Sequence, residues 1–518
     1  MSKIIYDDKP DDQFIENINT NDNTSTTSQS ETSPNDEDFS DINEAKLLRK
    51  LDIRLLPIVS FLYLLAYLDR GNIGNAKIEG LPESLNLTPE RYNLCLTIFF
   101  ITYALFEVPS NMLMKKIGRP SIFLGSIMVA WGIVMTMMGV VQGFSGLFVT
   151  RLLLGLFEAG LYPTLAYLMS MWYCKGEMQY RQAILHGSAS AAGAFSGLLA
   201  FAIAKMDGVG GYEGWRWIFI LEGLLTVIVA VASFFLMYDF PETANFLTER
   251  ERSFVIHRLK YDSNKSKTPL KSSRFPPDFG NFTEDDDINL KQALKAALKE
   301  WILYVHVLLY YGIITPTYGF ALFLPSVVKE LGYSSSHAQL MTVPIYITAS
   351  IISIVVAWFS DKAGLRSPFI AGSLGLVVLG YTLALIGNEI DYPNLVYGGV
   401  YVAGIGVYSG FPGLVSWVAS SLMNSRKRAI GMALHLGIGN FGGSFSSNFY
   451  KPNKYSMGHA LEIGFAVMGL LACAFIATYY KYQNKKKQRD LDLGKFDHYS
   501  DKQLYQMGNN SPFYKYTL

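Results

Sequence analysis

Charge is what this chain has least of. Only 17% of its 518 residues are Asp, Glu, Lys or Arg, against about 25% in an ordinary soluble globular protein. The deficit excludes a string of soluble domains, because the charges present crowd into two tails, one central stretch and short loops. Cysteine is scarce too: Cys95, Cys174 and Cys473 lie in or beside apolar runs and read as small packing residues. Three such scattered positions make no disulfide or metal framework. No phosphate-binding glycine loop, metal-ligand cluster or nucleophile triad is present, so no cofactor or metal is expected and an enzyme is not. The first residues are polar and acidic, so no cleavable leader is expected and the first apolar run must direct insertion.

What the chain has is apolar length. Half its residues are hydrophobic, and runs near 20 residues long fall at about 55–75, 93–114, 121–142, 145–172, 181–204 and 215–238. Six more follow at about 301–324, 338–359, 367–387, 394–420, 428–450 and 458–480. About 20 apolar residues are what a helix needs to cross a bilayer core. Twelve membrane helices are therefore expected, in an all-α protein.

The polar segments divide the rest. Residues 1–45 set only Lys3 and Lys9 against a dozen acidic residues, and read as a disordered acidic tail. Residues 46–238 form the first six-helix bundle, 239–300 a linker containing Glu284-Asp285-Asp286-Asp287, 301–480 the second bundle, and 481–518 a second tail. The basic residues sort by loop. Lys46, Arg49, Lys50 and Arg54 precede the first run. Lys115-Lys116-Ile117-Gly118-Arg119, Lys175 with Arg181, Lys362 with Arg366, Arg426-Lys427-Arg428 and Lys485-Lys486-Lys487 follow even-numbered runs. The odd loops Gln142–Phe144 and Asn388–Pro393 hold no Lys or Arg. By the positive-inside rule both termini and the linker are cytosolic. The basic loops are topology signals, and no nucleic-acid partner is expected.

The two sets of six runs look related. Asn111-Met-Leu-Met-Lys115-Lys116-Ile-Gly118-Arg119 in the first half parallels Ala357-Trp-Phe-Ser-Asp361-Lys362-Ala-Gly364-Leu-Arg366 in the second. The fifth and eleventh runs each open on an Arg, Arg181 and Arg428, and turn rich in Gly and Ser. Two related halves are what alternating access about a central site requires, so the pattern points to a transporter.

The paired loop motifs resemble the loop between helices two and three of the major facilitator superfamily. In the first copy Asn111 stands for the motif's Gly and Lys115 for its Asp; the second copy keeps Asp361. Arg151-Leu-Leu-Leu-Gly155-Leu-Phe-Glu158-Ala-Gly160-Leu-Tyr162-Pro163 resembles the fourth-helix motif of the anion:cation symporter branch. Tyr67-Leu-Asp69-Arg70-Gly-Asn72-Ile-Gly74-Asn75 looks like its first-helix signature. Within the branch the fungal allantoate permease group looks closest. Gln339-Leu-Met-Thr-Val-Pro344-Ile-Tyr346 and Arg366-Ser-Pro-Phe-Ile are similar to the yeast nicotinic acid permeases. The resemblance implies a monomeric plasma-membrane symporter that takes up a small carboxylated organic anion or vitamin with protons, nicotinate first among them. It also implies that Lys115, Gly118, Arg119, Asp361, Gly364 and Arg366 belong to gating loops.

Charges inside membrane spans are costly and are functional candidates. Glu158 falls near the midplane of the fourth helix. Arg151 lies seven residues earlier, two turns or about 10 Å along the axis and nearly on the same face. Arg70 lies a few residues past the middle of the first helix, at a similar depth. Two guanidinium groups facing a cavity suit a carboxylate. By the resemblance Arg70 and Arg151 bind the anion and Glu158 couples the proton. A bland alternative makes Arg151 an interhelical strut. Asp69 points in a different direction from Arg70 and reads as structural, packed against the fourth helix or a loop. Glu107 is either a second proton site or a partner for the inner loop. His435, near mid-depth in the polar eleventh helix, is the histidine to test; His186, His306 and His459 read as satisfied core residues. Glu222 and Arg216 read as an interface pair at the start of the sixth helix. Tyr310, Tyr311, Tyr318 and Tyr346 suit a flat ring, with core packing as the alternative. Pro316, Pro325, Pro344 and Pro412 are expected to break or bend their helices. Two rival classes are a transporter-like nutrient receptor, which a long cytosolic extension would mark, and a proton-coupled drug exporter, which acidic cavity residues would mark.

Overall fold

The computed structural model describes residues 39, 41–174, 177–262, 290–422, 425–450, 455–496, 498–499, 504, 507–512 and 514–518. The acidic tail to residue 38, Lys175 and the cluster Glu284–Asp287 lie outside them, as do the side chains of Lys115 and Arg426–Arg428. The chain divides into two units, Met1–Asn43 and Glu44–Leu518. In the first, the Ile42 amide donates to the Phe39 carbonyl at 3.0 Å. Everything below concerns the second.

Its membrane helices are α1 Glu44–Ile78, α2 Pro89–Ile117, α3 Pro120–Met138, α4 Phe144–Ser170, α5 Met178–Ala204 and α6 Gly214–Leu236. After the linker come α7 Trp301–Glu330, α8 Ser335–Ala363, α9 Ser367–Glu389, α10 Pro393–Ser420, α11 Ser425–Asn440 and α12 Tyr455–Asp492. Eleven of these are apolar enough over their length to span a bilayer by themselves. The twelfth, α11, is short and glycine-rich and resumes beyond Phe441 as a turn at Gly442–Ser446. The twelve-helix, all-α expectation holds.

Local chemistry repeats between the halves. Thr88 caps α2 by accepting from the Arg91 amide, and Ser334 caps α8 by accepting from the His337 amide, each at 3.3 Å. A side-chain oxygen there satisfies one of the amides that a helix start leaves free. Both helices end on the motif glycine in the left-handed region, Gly118 at φ 70° and Gly364 at φ 65°, which explains why glycine stands there. Proline then opens α3 and lies in the first turn of α9.

Breaks fall where the expectation did not put them. Pro316, Pro325, Pro344 and Pro412 all sit inside unbroken helices. Instead α4 is interrupted at Ala159–Gly160, directly after Glu158. Pro163 has no N–H to return to the Ala159 carbonyl, and glycine adds freedom at that point.

The helix lead-in and the linker meet at one end, here called the linker end. Lys50 pairs with Glu251 at 2.7 Å, Arg181 with Asp52 at 2.8 Å, and Arg258 with Glu177 at 2.8 Å. These bonds staple the linker helix Glu249–Asp262 to the starts of α1 and α5. The second tail folds back at the same end. Trp417 Nε1 donates to the Thr517 carbonyl at 2.9 Å, Lys487 Nζ to the Asn509 carbonyl at 2.6 Å, and Tyr516 stacks on Tyr480 at 4.3 Å. At the opposite, far end the halves are bonded directly. Lys329 Nζ and Ser335 Oγ donate to the Ile78 carbonyl at 2.7 and 2.8 Å, and Gln339 Nε2 to Glu79 at 3.0 Å. Thr97 and Ser447 share a hydrogen bond at 2.8 Å.

Candidate functional site

The site is built on α1. Successive residues on a helix are about 100° apart, so Asp69 and Arg70 face different ways. Asp69 turns into the first bundle, where its Oδ2 accepts from Trp131 Nε1 at 2.7 Å and from Thr226 at 3.0 Å. Its partners are structural, as expected, but come from α3 and α6 and not from the fourth helix or a loop. One turn on, Asn72 donates to Glu222 at 2.5 Å, and Ser196 bridges Asn72 and Asn75. The expected Glu222–Arg216 pair does not form. The sixth helix starts at Gly214, so Glu222 lies two turns inside it and is buried against α1. Arg216 stays at the far end, bonded to Glu213 and to the Gly139 and Val141 carbonyls. Glu213 also accepts from Ser84. That hydrogen bond, then those from Trp215 and Arg216, outweighs partial burial and holds the Glu213 carboxyl below its ordinary range.

Arg70 faces the boundary between the halves. Its Nε lies 3.1 Å from Glu158 Oε1, to which Nη2 also donates, and its Nη1 donates to the Tyr318 hydroxyl at 3.0 Å. Tyr318 donates to Asn440 Oδ1 at 3.2 Å, and Asn440 Nδ2 donates to Glu107 at 3.1 Å. The chain Glu158–Arg70–Tyr318–Asn440–Glu107 therefore runs from α4 through α1, α7 and α11 to α2. It joins two carboxylates of the first half through two polar groups of the second. The guanidinium also lies over aromatic faces, 4.9 Å from the Tyr67 centroid and 5.0 Å from Tyr103. Such cation–π contact strengthens when water is excluded.

A cavity opens beside this chain. Tyr63, Tyr67, Tyr103 and Tyr162 line it from the first half, Tyr310, Tyr318, Phe411 and Asn440 from the second, and among the described residues Arg70 is the one charged lining residue. His186 closes over it toward α10, its ring 4.7 Å from Phe411. A second cavity lies toward the far end between α1, α5, α7, α8 and α10, lined by Tyr67, Asn75, Ser196, Thr342, Tyr346 and Tyr408 among others. Tyr67 borders both.

Arg151 does not share the wall with Arg70. It is 1% exposed, packs 5.9 Å from the Phe99 centroid, and leaves Nε and Nη2 without a hydrogen-bond partner among the described residues. Glu158 Oε2 is likewise without one. His435 is buried one layer behind Tyr310, at 4.8 Å between rings, with neither nitrogen bonded among the described residues. Tyr311 donates to the Ile438 carbonyl at 2.8 Å and packs on Phe445, outside both cavities. Among the loop residues, Arg366 bonds Ser360 and Asp361 within its own loop, and Arg119 is exposed. Asn440, Tyr103 and Phe411 were not anticipated. The only advance sign of Asn440 is an amide in a membrane helix, which must find partners. Among the described residues no group of His, Cys, Asp or Glu is placed to hold a metal.

Two helical halves, bonded directly at the far end and enclosing an aromatic cavity with Arg70 on its wall, have the architecture of a membrane transporter. The profile of the Major Facilitator Superfamily matches residues 59–447, and the chain belongs to that superfamily. It is 34% identical over 497 residues to the MFS-type transporter cnsO of Penicillium expansum, covering 93% of this chain and 92% of that one. It is 30% identical over 481 residues to the high-affinity nicotinic acid transporter of Saccharomyces cerevisiae, covering 91% and 85%. Among solved structures, the fold is similar to an inward-facing bacterial homologue of the lysosomal transporter Spinster, with a TM-score of 0.59, 15% identity and coverage of 81% and 95%. It is also similar to the xylose transporter XylE of E. coli, with a TM-score of 0.56, 13% identity and coverage of 82% and 97%.

Proposed function

We propose that this chain imports a small carboxylated organic anion together with protons, nicotinate being the first candidate, across a fungal plasma membrane. In this reading it works as a monomer, with the linker end cytosolic as the basic loops require. The observation that carries it is Arg70, the one charge among the described residues on an aromatic cavity wall, where Glu158 holds it. An arriving carboxylate competes with Glu158 for the guanidinium fork, and the tyrosine faces pack against a flat ring. Likeness to the yeast nicotinic acid transporter supports the choice of candidate.

Coupling follows from that competition. A carboxylate released from Arg70 inside the membrane is costly as an anion and takes a proton. Arg151, a cation that interacts electrostatically with Glu158, favours the charged form and so opposes protonation until the cargo arrives. Glu107 is the second proton group at the other end of the chain, and His435 stands behind Tyr310 as a third. Tyr346 belongs to the pathway toward the far end, and Tyr311 steadies α11. The paired loops, with Lys115, Gly118 and Arg119 in one and Asp361, Gly364 and Arg366 in the other, gate the linker end. Uptake of a labelled panel of vitamins and organic acids, in cells lacking their own carriers and with or without a protonophore, tests the reading. Uptake indifferent to the protonophore contradicts symport.

A further inference from the structure

The second half holds a buried acid that the scheme above does not use. Glu462, on α12, is 0% exposed, and neither carboxyl oxygen has a hydrogen-bond partner among the described residues. Its Oε1 rests against the backbone of α7 at Gly319, so closely that a Cβ added there would collide with it. Gly319 follows Tyr318, the residue bonded to Arg70.

Among the described residues the surroundings are ionisable but carry no cation. Tyr381 on α9 and Tyr450 beyond α11 are the titratable neighbours from the packed elements, and His459 stands one turn away on α12 itself. His459 Nδ1 bonds the Tyr450 hydroxyl at 3.3 Å, and its Nε2 has no partner among the described residues. Tyr450 in turn stacks on Phe323 at 4.7 Å, and Phe323 lies under the Lys77 ammonium at 4.9 Å. Among the described residues Lys77 is the nearest cation along this path, and an aromatic layer separates it from Glu462.

An ionised carboxylate with neither donor nor counter-ion is not sustained inside a membrane protein; the group neutralises instead. We propose that Glu462 is a second proton-binding site, loaded in this far-end-closed conformation and covered by α7 at Gly319. Movement of α7 then does two things at once: it draws Tyr318 from Arg70 and uncovers Glu462 to water. No covalent step is involved; a proton is held on one carboxyl oxygen and released when the cover shifts. The role in transport rests on the proton-coupled reading above, whereas the protonation itself does not.

Infrared spectroscopy on the full chain in liposomes, with no substrate, separates the two. Glu462→Gln keeps the shape and removes the acid; Glu462→Asp keeps the acid and draws it back from α7. The expected result is one protonated-carboxyl stretch present in the wild type, absent in Glu462→Gln and displaced in Glu462→Asp. With both variants at normal surface levels, proton-driven accumulation is expected to fall at least tenfold in Glu462→Gln while exchange continues. A carboxyl spectrum identical in wild type and Glu462→Gln overturns the proposal whatever the cargo proves to be. Unchanged accumulation in Glu462→Gln overturns the coupling role.

Discussion

Arg70 and Tyr318 meet at 3.0 Å although they come from different halves of the chain, so one phenolic hydroxyl ties the cavity's charge to the bundle that must move past it. Tyr318→Phe removes that hydroxyl and leaves both Arg70 Nη1 and Asn440 Oδ1 short of a partner. Losing a hydrogen bond to a charged group costs about 1.5–3 kcal/mol. A lower melting temperature in detergent is expected, with cargo binding retained through Arg70. An unchanged melting temperature would remove the hydroxyl from the chain.

Arg70→Lys keeps the charge and loses the fork. An ammonium cannot hold Glu158 and Tyr318 and also present paired donors to a carboxylate. Uptake is expected to fall by roughly tenfold or more, the equivalent of about 1.4 kcal/mol, at normal surface expression. Uptake equal to wild type would exclude bidentate recognition.

Asp69 and Tyr67 make a contrasting pair two residues apart. Asp69→Ala strands the Trp131 and Thr226 donors in the first bundle, at about 1–3 kcal/mol, and should reduce the amount of folded protein at the membrane. Tyr67→Leu should leave that amount unchanged and weaken uptake, because Tyr67 borders both cavities. Surface quantification beside uptake separates the two effects, and a reversed pattern would contradict the assignment.

Closure at the far end depends on small residues. A Cβ on Gly74 would stand 2.7 Å from the Leu322 carbonyl oxygen, so α1 and α7 pack backbone to backbone there. Gly74→Val is expected to hold these helices apart and to expose a cysteine placed at Ser447 to a thiol reagent. Protection equal to that of the Gly74 protein would count against this contact as the gate.

Much of this was legible from residues alone, and the exceptions have physical causes. Apolar length located all twelve helices, because a helix that crosses a bilayer core needs about 20 apolar residues. The paired glycines at 118 and 364 were visible as a repeat, and their left-handed conformation explains them. Arg70 and Glu158 stood out because membrane charge is expensive. Their direct pairing was not foreseen, and neither was the withdrawal of Arg151 behind them. In a membrane helix both faces are apolar, so periodicity does not reveal which one meets the cavity. Asn440 carries no charge and sits in a glycine-rich helix, so nothing marked it as the link to Glu107. Glu222 was misplaced because a pairing was read from its sequence neighbours, whereas its partner, Asn72, is 150 positions away. Long-range contacts of that kind also hide the folding-back of the tail onto Trp417.

The account stands most directly on proton-driven accumulation of a carboxylated cargo through Arg70 and Glu158. The measurement is uptake of labelled nicotinate in cells lacking their own carrier, for wild type and Glu158→Gln, with and without a protonophore. The account predicts accumulation against a gradient by the wild type, abolished by the protonophore, and a Glu158→Gln protein that exchanges internal for external nicotinate but does not accumulate it. Accumulation that survives the protonophore, or that persists in Glu158→Gln, would contradict it.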